Sequence, residues 1–239
     1  MENVLALCAE GLTVAEVARR TGIPRSTMRY WLAQGPAYRH RAARACPPCP
    51  HIAALPEGPY AYLLGLYLGD GCLSLARRGV YRLRITLDRK YPEIVRECRL
   101  AAGLVLPNKV GEIGRPGCVE VYSNSKHWGC LFPQHGPGPK HLRSIVLAPW
   151  QHDIAVVRYP YLLLRGLIQS DGWRGTNRIG GRYEYPCYQF SNRSADIRGL
   201  FGAACDQMGI ASRQSGQWHV AVSRRRDVAR MDLIVGEKR

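Results

Sequence analysis

Residues 62–71, YLLGLYLGDG, align without a gap onto residues 163–172, LLRGLIQSDG. The alignment sets Leu64 against Arg165, Gly65 against Gly166 and Asp70 against Asp171, 101 positions apart (70 to 171). Each stretch is apolar and reads as a buried helix that ends at an Asp-Gly pair. The flanks repeat as well. After Asp70 come strand-like segments Cys72–Ala76 and Val80–Leu87, the latter alternating Tyr81, Leu83, Ile85 and Leu87. Asp88 and Tyr91 then open a helix over Pro92–Leu104. After Asp171 comes a strand pair that includes Tyr183–Phe190, and Asn192 and Ser194 open a helix over Ala195–Met208. Val119–Tyr122 and His219–Val222 read as strands, each running into a polar helix start, at Ser123–Lys126 and at Ser223–Arg226. The copies close on Gly138-Pro139-Lys140 and Gly236-Glu237-Lys238, in a chain holding only five Lys. The expected fold class is α+β, with two pseudo-symmetric repeats of order αββαββα.

The first 35 or so residues have a different texture. Val4, Leu5 and Leu7 supply the apolar positions of a short helix closed by Gly11. Thr13 with Glu16 three residues on is a capping box, predicting a second helix over Val14–Arg20 that buries Val14, Val17 and Ala18. Pro24 stands where a third helix begins, a place proline tolerates. That helix would bury Met28, Trp31 and Leu32 and present Arg25, Ser26, Thr27, Arg29 and Tyr30 outward. Short helices joined at Thr21-Gly22, with a basic outer face on the last, form a helix-turn-helix pattern. TVAEVARRTGIPRSTMRYWL, residues 13–32, resembles the DNA-binding helix-turn-helix of many bacterial regulators and recombinases. The expected organisation is a helix-turn-helix domain over 1–45, a Pro- and Cys-rich linker over 46–58, and repeats over 59–150 and 151–239.

The paired LLGLYLGDG and LRGLIQSDG resemble the two signature helices of single-chain LAGLIDADG homing endonucleases, over roughly residues 59–239. Glycines at 65 and 166 would let two helices meet backbone to backbone, leaving Asp70 and Asp171 side by side at their C-terminal ends. Two carboxylates near negative helix ends are unfavourable without a cation. Oxygen ligands of this kind suit Mg²⁺ or Mn²⁺. The resemblance implies a DNA-straddling saddle, a catalytic and metal-holding role for Asp70 and Asp171, and basic helpers at Lys140 and Lys238. It also implies base or phosphate contacts from Arg82, Arg84 and Gln189 on the saddle strands.

Charge fits a polyanionic partner: 34 Lys and Arg stand against 18 Asp and Glu, a formal net charge of +16. Double-stranded DNA is the expected partner of a monomer with internal pseudo-twofold symmetry. No apolar run reaches the ~18–20 residues of a spanning helix, so no membrane partner is expected. Nine cysteines with no secretory signal fit a reducing cytoplasm better than disulfides. Cys46-Pro47-Pro48-Cys49 has the spacing of half a zinc site, with His40 and His51 nearby, against the alternative of an exposed linker with incidental thiols. His127, Cys130, His135 and His141 also cluster in sequence but match no standard ligand spacing. Two functions stay open on these residues: metal-dependent, sequence-specific DNA cleavage, or transcription regulation that keeps the scaffold for binding alone. RNA processing fits the charge as a third.

Overall fold

The computed structural model describes residues 7, 10–21, 25, 28, 46, 49–179 and 183–236. The chain divides into two compact units, Met1–Ala45 and Cys46–Arg239.

In the first unit, helix α1 (Val14–Thr21) is held by the expected capping box. The Glu16 carboxylate accepts from the Thr13 backbone N–H at 2.8 Å and from its hydroxyl at 2.6 Å, while Glu16 N–H donates to Thr13 Oγ1 at 3.3 Å. These bonds hold the Glu16 carboxyl below its usual range. Val17 and Met28 are fully buried, with Leu7, Leu12, Val14 and Ala18 packed against them. The predicted core positions Trp31 and Leu32 lie outside the described residues.

In the second unit the expected repeat is realised. The first copy runs α2 (Glu57–Asp70), β1 (Gly71–Leu75), β2 (Tyr81–Asp88), α3 (Pro92–Val105), β3 (Val110–Arg115) and β4 (Cys118–Ser125). The second runs α4 (Pro160–Asp171), β5 (Gly172–Ile179), β6 (Tyr183–Ser191), α5 (Ala195–Gln207), β7 (Arg213–Gly216), β8 (His219–Val222) and α6 (Arg225–Val235). Each copy builds one antiparallel sheet with the same order, β1-β2-β4-β3 and β5-β6-β8-β7. The register matches too: Gly71 pairs with Ile85 as Gly172 pairs with Phe190.

One expectation is corrected. Ser123–Lys126 does not start a helix: β4 continues to Ser125, with Ser123 facing Leu83 and Val110 across the sheet. Ser123 and Ser125 are buried, so the strand's inward face is lined by hydroxyls, and its period-two burial is hidden from a polarity scan. The third helix of the first copy shrinks to one turn, Trp128–Leu131.

Helices α2 and α4 are the centre of the unit. Every residue from Tyr60 to Leu68 is buried, a burial all round that excludes a one-sided amphipathic helix. Gly65 and Gly166 sit at the crossing. A Cβ on Gly65 would lie 2.6 Å from the Leu163 carbonyl oxygen and 2.9 Å from Gly166 Cα. One on Gly166 would collide with the Tyr62 carbonyl oxygen and lie 3.0 Å from Gly65 Cα. The two helices are in backbone contact, a spacing that only glycine allows. Tyr62 Oη donates to Gln169 Oε1 at 2.5 Å across the same seam, and Arg165 pairs with Glu97 of α3 at 2.7 Å.

Candidate nucleic-acid and metal site

The glycine contact fixes where the acids go. Because α2 and α4 cross at Gly65 and Gly166, their last turns arrive together. A Cβ on Gly69 would lie 2.6 Å from Ser170 Cβ and 3.2 Å from Asp171 Oδ2. Asp70 is exposed and Asp171 half-buried, each the last helical residue before a strand begins. The surroundings of the two acids differ. Asp171 Oδ2 accepts from Asn192 Nδ2 at 2.6 Å, and Asn192 is itself oriented by accepting from the Ser194 backbone N–H at 2.9 Å. Asp70 instead borders a cleft of about 650 Å³ that Asp88 and Tyr91 also line.

Lys140 reaches the same place. Its Nζ donates to the carbonyls of Tyr67 at 2.5 Å, Leu68 at 2.8 Å and Gly69 at 2.7 Å, capping the C-terminal end of α2. Burial pulls its ammonium down to about 8, against the attraction of Asp171 and Asp70. All three donors of the ammonium are thereby engaged by backbone oxygens. Its matched residue, Lys238, lies outside the described residues, as do Ser26, Thr27, Arg29 and Tyr30.

The unfolded pKa of Lys140 is 10.5 and the folded one about 8. Between those values the unfolded chain binds more protons, so Lys140's contribution to stability rises with pH through that window and is lost as pH falls through about 8. Comparing wild type with Lys140→Met by urea unfolding between pH 7.5 and 10.5 should show the wild type gaining on the variant, by at most ~3 kcal/mol at 1.36 kcal/mol per unit. A difference that is flat in pH would refute the buried, depressed ammonium.

The strands carry the other predicted residues on one face. In β2, Leu83, Ile85 and Leu87 point to the helices, while Arg82 and Arg84 alternate to the opposite face. Gln189 does the same in β6, between buried Tyr188 and Phe190. Register makes Arg84 and Gln189 equivalent: Arg84 is opposite Cys72 and Gln189 opposite Trp173, the residues that directly follow the matched glycines. Sequence reading missed the company they keep. Buried Glu120 faces Arg82 at 3.8 Å, Arg84 at 3.9 Å and Arg115 at 3.7 Å, and Arg82 stacks 4.0 Å over the Tyr122 ring. The second sheet shows exposed Trp173 and Tyr185 there. Arg25, in the first unit, is exposed on a helical segment.

Cys46 and Cys49 do not stand alone either. His127 Nδ1 lies 3.7 Å from Cys46 Sγ and 3.5 Å from Cys49 Sγ, and Cys130 completes the group.

The chain shares 14% identity with I-DmoI in complex with DNA and Mn, covering 76% of this chain and 98% of that one at a TM-score of 0.50. The fold is the LAGLIDADG fold. Mesophilic variants of the homing endonuclease I-DmoI match at 14% identity, 75% and 95% coverage and a TM-score of 0.49. The N-terminal LAGLIDADG domain of WhiA matches at 15%, 77% and 83%, with a TM-score of 0.47. Residues 3–34 match the IclR helix-turn-helix domain. No curated protein matches the chain. Among the described residues, no helix is long and apolar enough to cross a membrane.

Proposed function

We propose that this chain binds double-stranded DNA sequence-specifically, through the helix-turn-helix and the open faces of the two sheets, and cuts it with a divalent metal ion. The observation that carries the reading is the paired acids at the meeting helix ends, opening beside two sheets that present Arg82, Arg84 and Gln189. Charge supports it: +16 overall suits a phosphate backbone.

The donor set fits Mg²⁺ or Mn²⁺: the acids supply hard oxygen ligands, and helix C-termini raise the negative potential between them. Asp70 and Asp171 would hold the ion, which when bound lowers the pKa of a water ligand and neutralises charge on phosphate oxygens. Asn192 would hold Asp171 in one rotamer by its bond to Oδ2. Lys140 would fix the last turn of α2, and so the place of Asp70, rather than handle a proton. Arg84 and Gln189, at equivalent strand positions, would contact unlike base or phosphate groups.

A second reading, binding without cleavage as in a regulator, draws on the same Lys140. Its ammonium is attracted by both acids and supplies cationic charge beside them. Incubating the protein with a randomised DNA library and Mg²⁺ or Mn²⁺, then sequencing bound and cut products, separates the two. Cut ends within the selected site support the nuclease; a selected site left whole over long incubation with either metal refutes it.

Binding itself has two expected signatures. Glu120→Gln removes the one carboxylate shared by Arg82, Arg84 and Arg115, so affinity should rise and the log–log salt slope should steepen by about one counterion. An unchanged slope would mean that this face is not the DNA face. Arg25→Ala should cost about 1–3 kcal/mol at the selected site if its guanidinium reads a guanine edge. Affinities of the variant for the selected and for a scrambled site that both match wild type would remove Arg25 from recognition.

A further inference from the structure

Beside the acid pair, the fold assembles a second set of metal-ligating side chains from two distant segments. The structure assigns Cys46, Cys49, His127 and Cys130 to a zinc site that fastens the start of the second unit to the first repeat. Each segment contributes a pair at the same spacing, Cys-x₂-Cys and His-x₂-Cys. Each pair also meets a short helical turn: Cys49 precedes Pro50–Ala53, and His127 precedes Trp128–Leu131, which contains Cys130.

Distance gives the first argument. The ligand atoms of Cys46, His127 and Cys130 all lie within 4.8 Å of one another, and Cys49 joins them through His127, its Sγ 3.5 Å from the ring Nδ1. Tetrahedral zinc with Zn–S of about 2.3 Å and Zn–N of about 2.0–2.1 Å has sulfur–nitrogen edges of roughly 3.6 Å. The observed edges from His127 Nδ1 are 3.7 and 3.5 Å.

Valence gives the second. Nδ1 of a neutral imidazole carries either one lone pair or one hydrogen, so it cannot bond fully to two thiols at once. Two sulfurs at nearly equal distance from that nitrogen are explained by an ion between them. His51 packs edge-on to His127 with ring centroids 4.4 Å apart, which sets the ring's orientation. Three thiolates and one imidazole, all from the protein, leave no open position, the arrangement of a structural site rather than a catalytic one. Soft sulfur donors also separate this site from the oxygen ligands of the acid pair, so one ion would not replace the other.

The test starts with protein purified without added metal. Elemental analysis should find about one zinc per chain, unchanged in Asp70→Asn, since the two sites are independent. Cobalt substitution should give the thiolate charge-transfer bands and tetrahedral ligand-field bands of an S₃N site. Cys130→Ser should lose the zinc and those bands. If that variant is insoluble, a strong chelator on the wild type should lower its melting temperature, and zinc alone should restore it. Full titration of the Cys46, Cys49 and Cys130 thiols with no chelator present, together with zinc well below one equivalent, overturns the assignment. So does cobalt binding without thiolate bands, or zinc kept at one equivalent in Cys130→Ser.

Discussion

Asp70→Asn and Asp171→Asn are each expected to abolish double-strand cutting at a selected site while binding stays largely intact. Asn keeps the size of Asp and much of its hydrogen bonding but removes the charge that holds a cation. Loss of an outer-sphere partner of a metal ligand costs about 10–100-fold, so loss of the ligand itself should exceed a hundredfold. The two acids repel each other but both attract the buried Lys140 ammonium, so stability without metal should change little in either variant. The two measurements together are decisive. Variants that cut at the wild-type rate, with either ion, exclude the acids as metal holders. Variants that neither cut nor keep wild-type stability would mean that the carboxylates hold the fold rather than a cation.

Gly166→Ala is expected to be the most damaging single-methyl change in the second unit. The new Cβ would collide with the Tyr62 carbonyl oxygen and crowd Gly65 Cα, both backbone atoms that cannot rotate away. Relief requires α2 and α4 to separate, opening a seam in which Leu64, Leu66, Leu68, Leu163, Leu164, Leu167 and Ile168 are all fully buried. Overpacking with side-chain relief costs typically 1–3 kcal/mol; without it, about 3 kcal/mol or more is expected, a large share of the ~5–15 kcal/mol of a domain. Gly199→Ala is the control. Gly199 lies inside α5 with open space around the added methyl, so the change should stabilise by up to ~1 kcal/mol through helix propensity. A Gly166→Ala midpoint in urea equal to wild type would refute the backbone contact.

Much of this fold was legible because the chain states it twice. One apolar stretch ending in Asp-Gly has many readings; two, with matching strand and helix spacing behind them, have few. Helix limits at Pro92 and Ala195 could be read because Tyr91-Pro92 and Ser194 punctuate them locally. The end of β4 could not, since Ser123 and Ser125 bury hydroxyls and mimic a polar helix start. Within the site, the two acids were visible as motif residues. Their different surroundings were not: Asn192 on Asp171, and Lys140 on the carbonyls of α2, are contacts that only tertiary packing creates. Glu120 among three arginines was hidden for the same reason. The half-site at Cys46 and Cys49 was plain in the sequence, but its complement lies 78 residues or more downstream and reads as a loop until the fold brings His127 to it.

The glycine-to-glycine seam has a consequence for synthesis. Its two halves are 101 residues apart (65 to 166), so at ~5–20 residues per second the first half waits about 5–20 s on the ribosome for its partner. Through that interval α2, apolar on every side, has no α4 to cover it. A nascent chain in that state invites pairing with the α2 of a neighbour on the same message. Silent codons that slow or speed translation between the two motifs would therefore change how much protein matures, with no change in any residue.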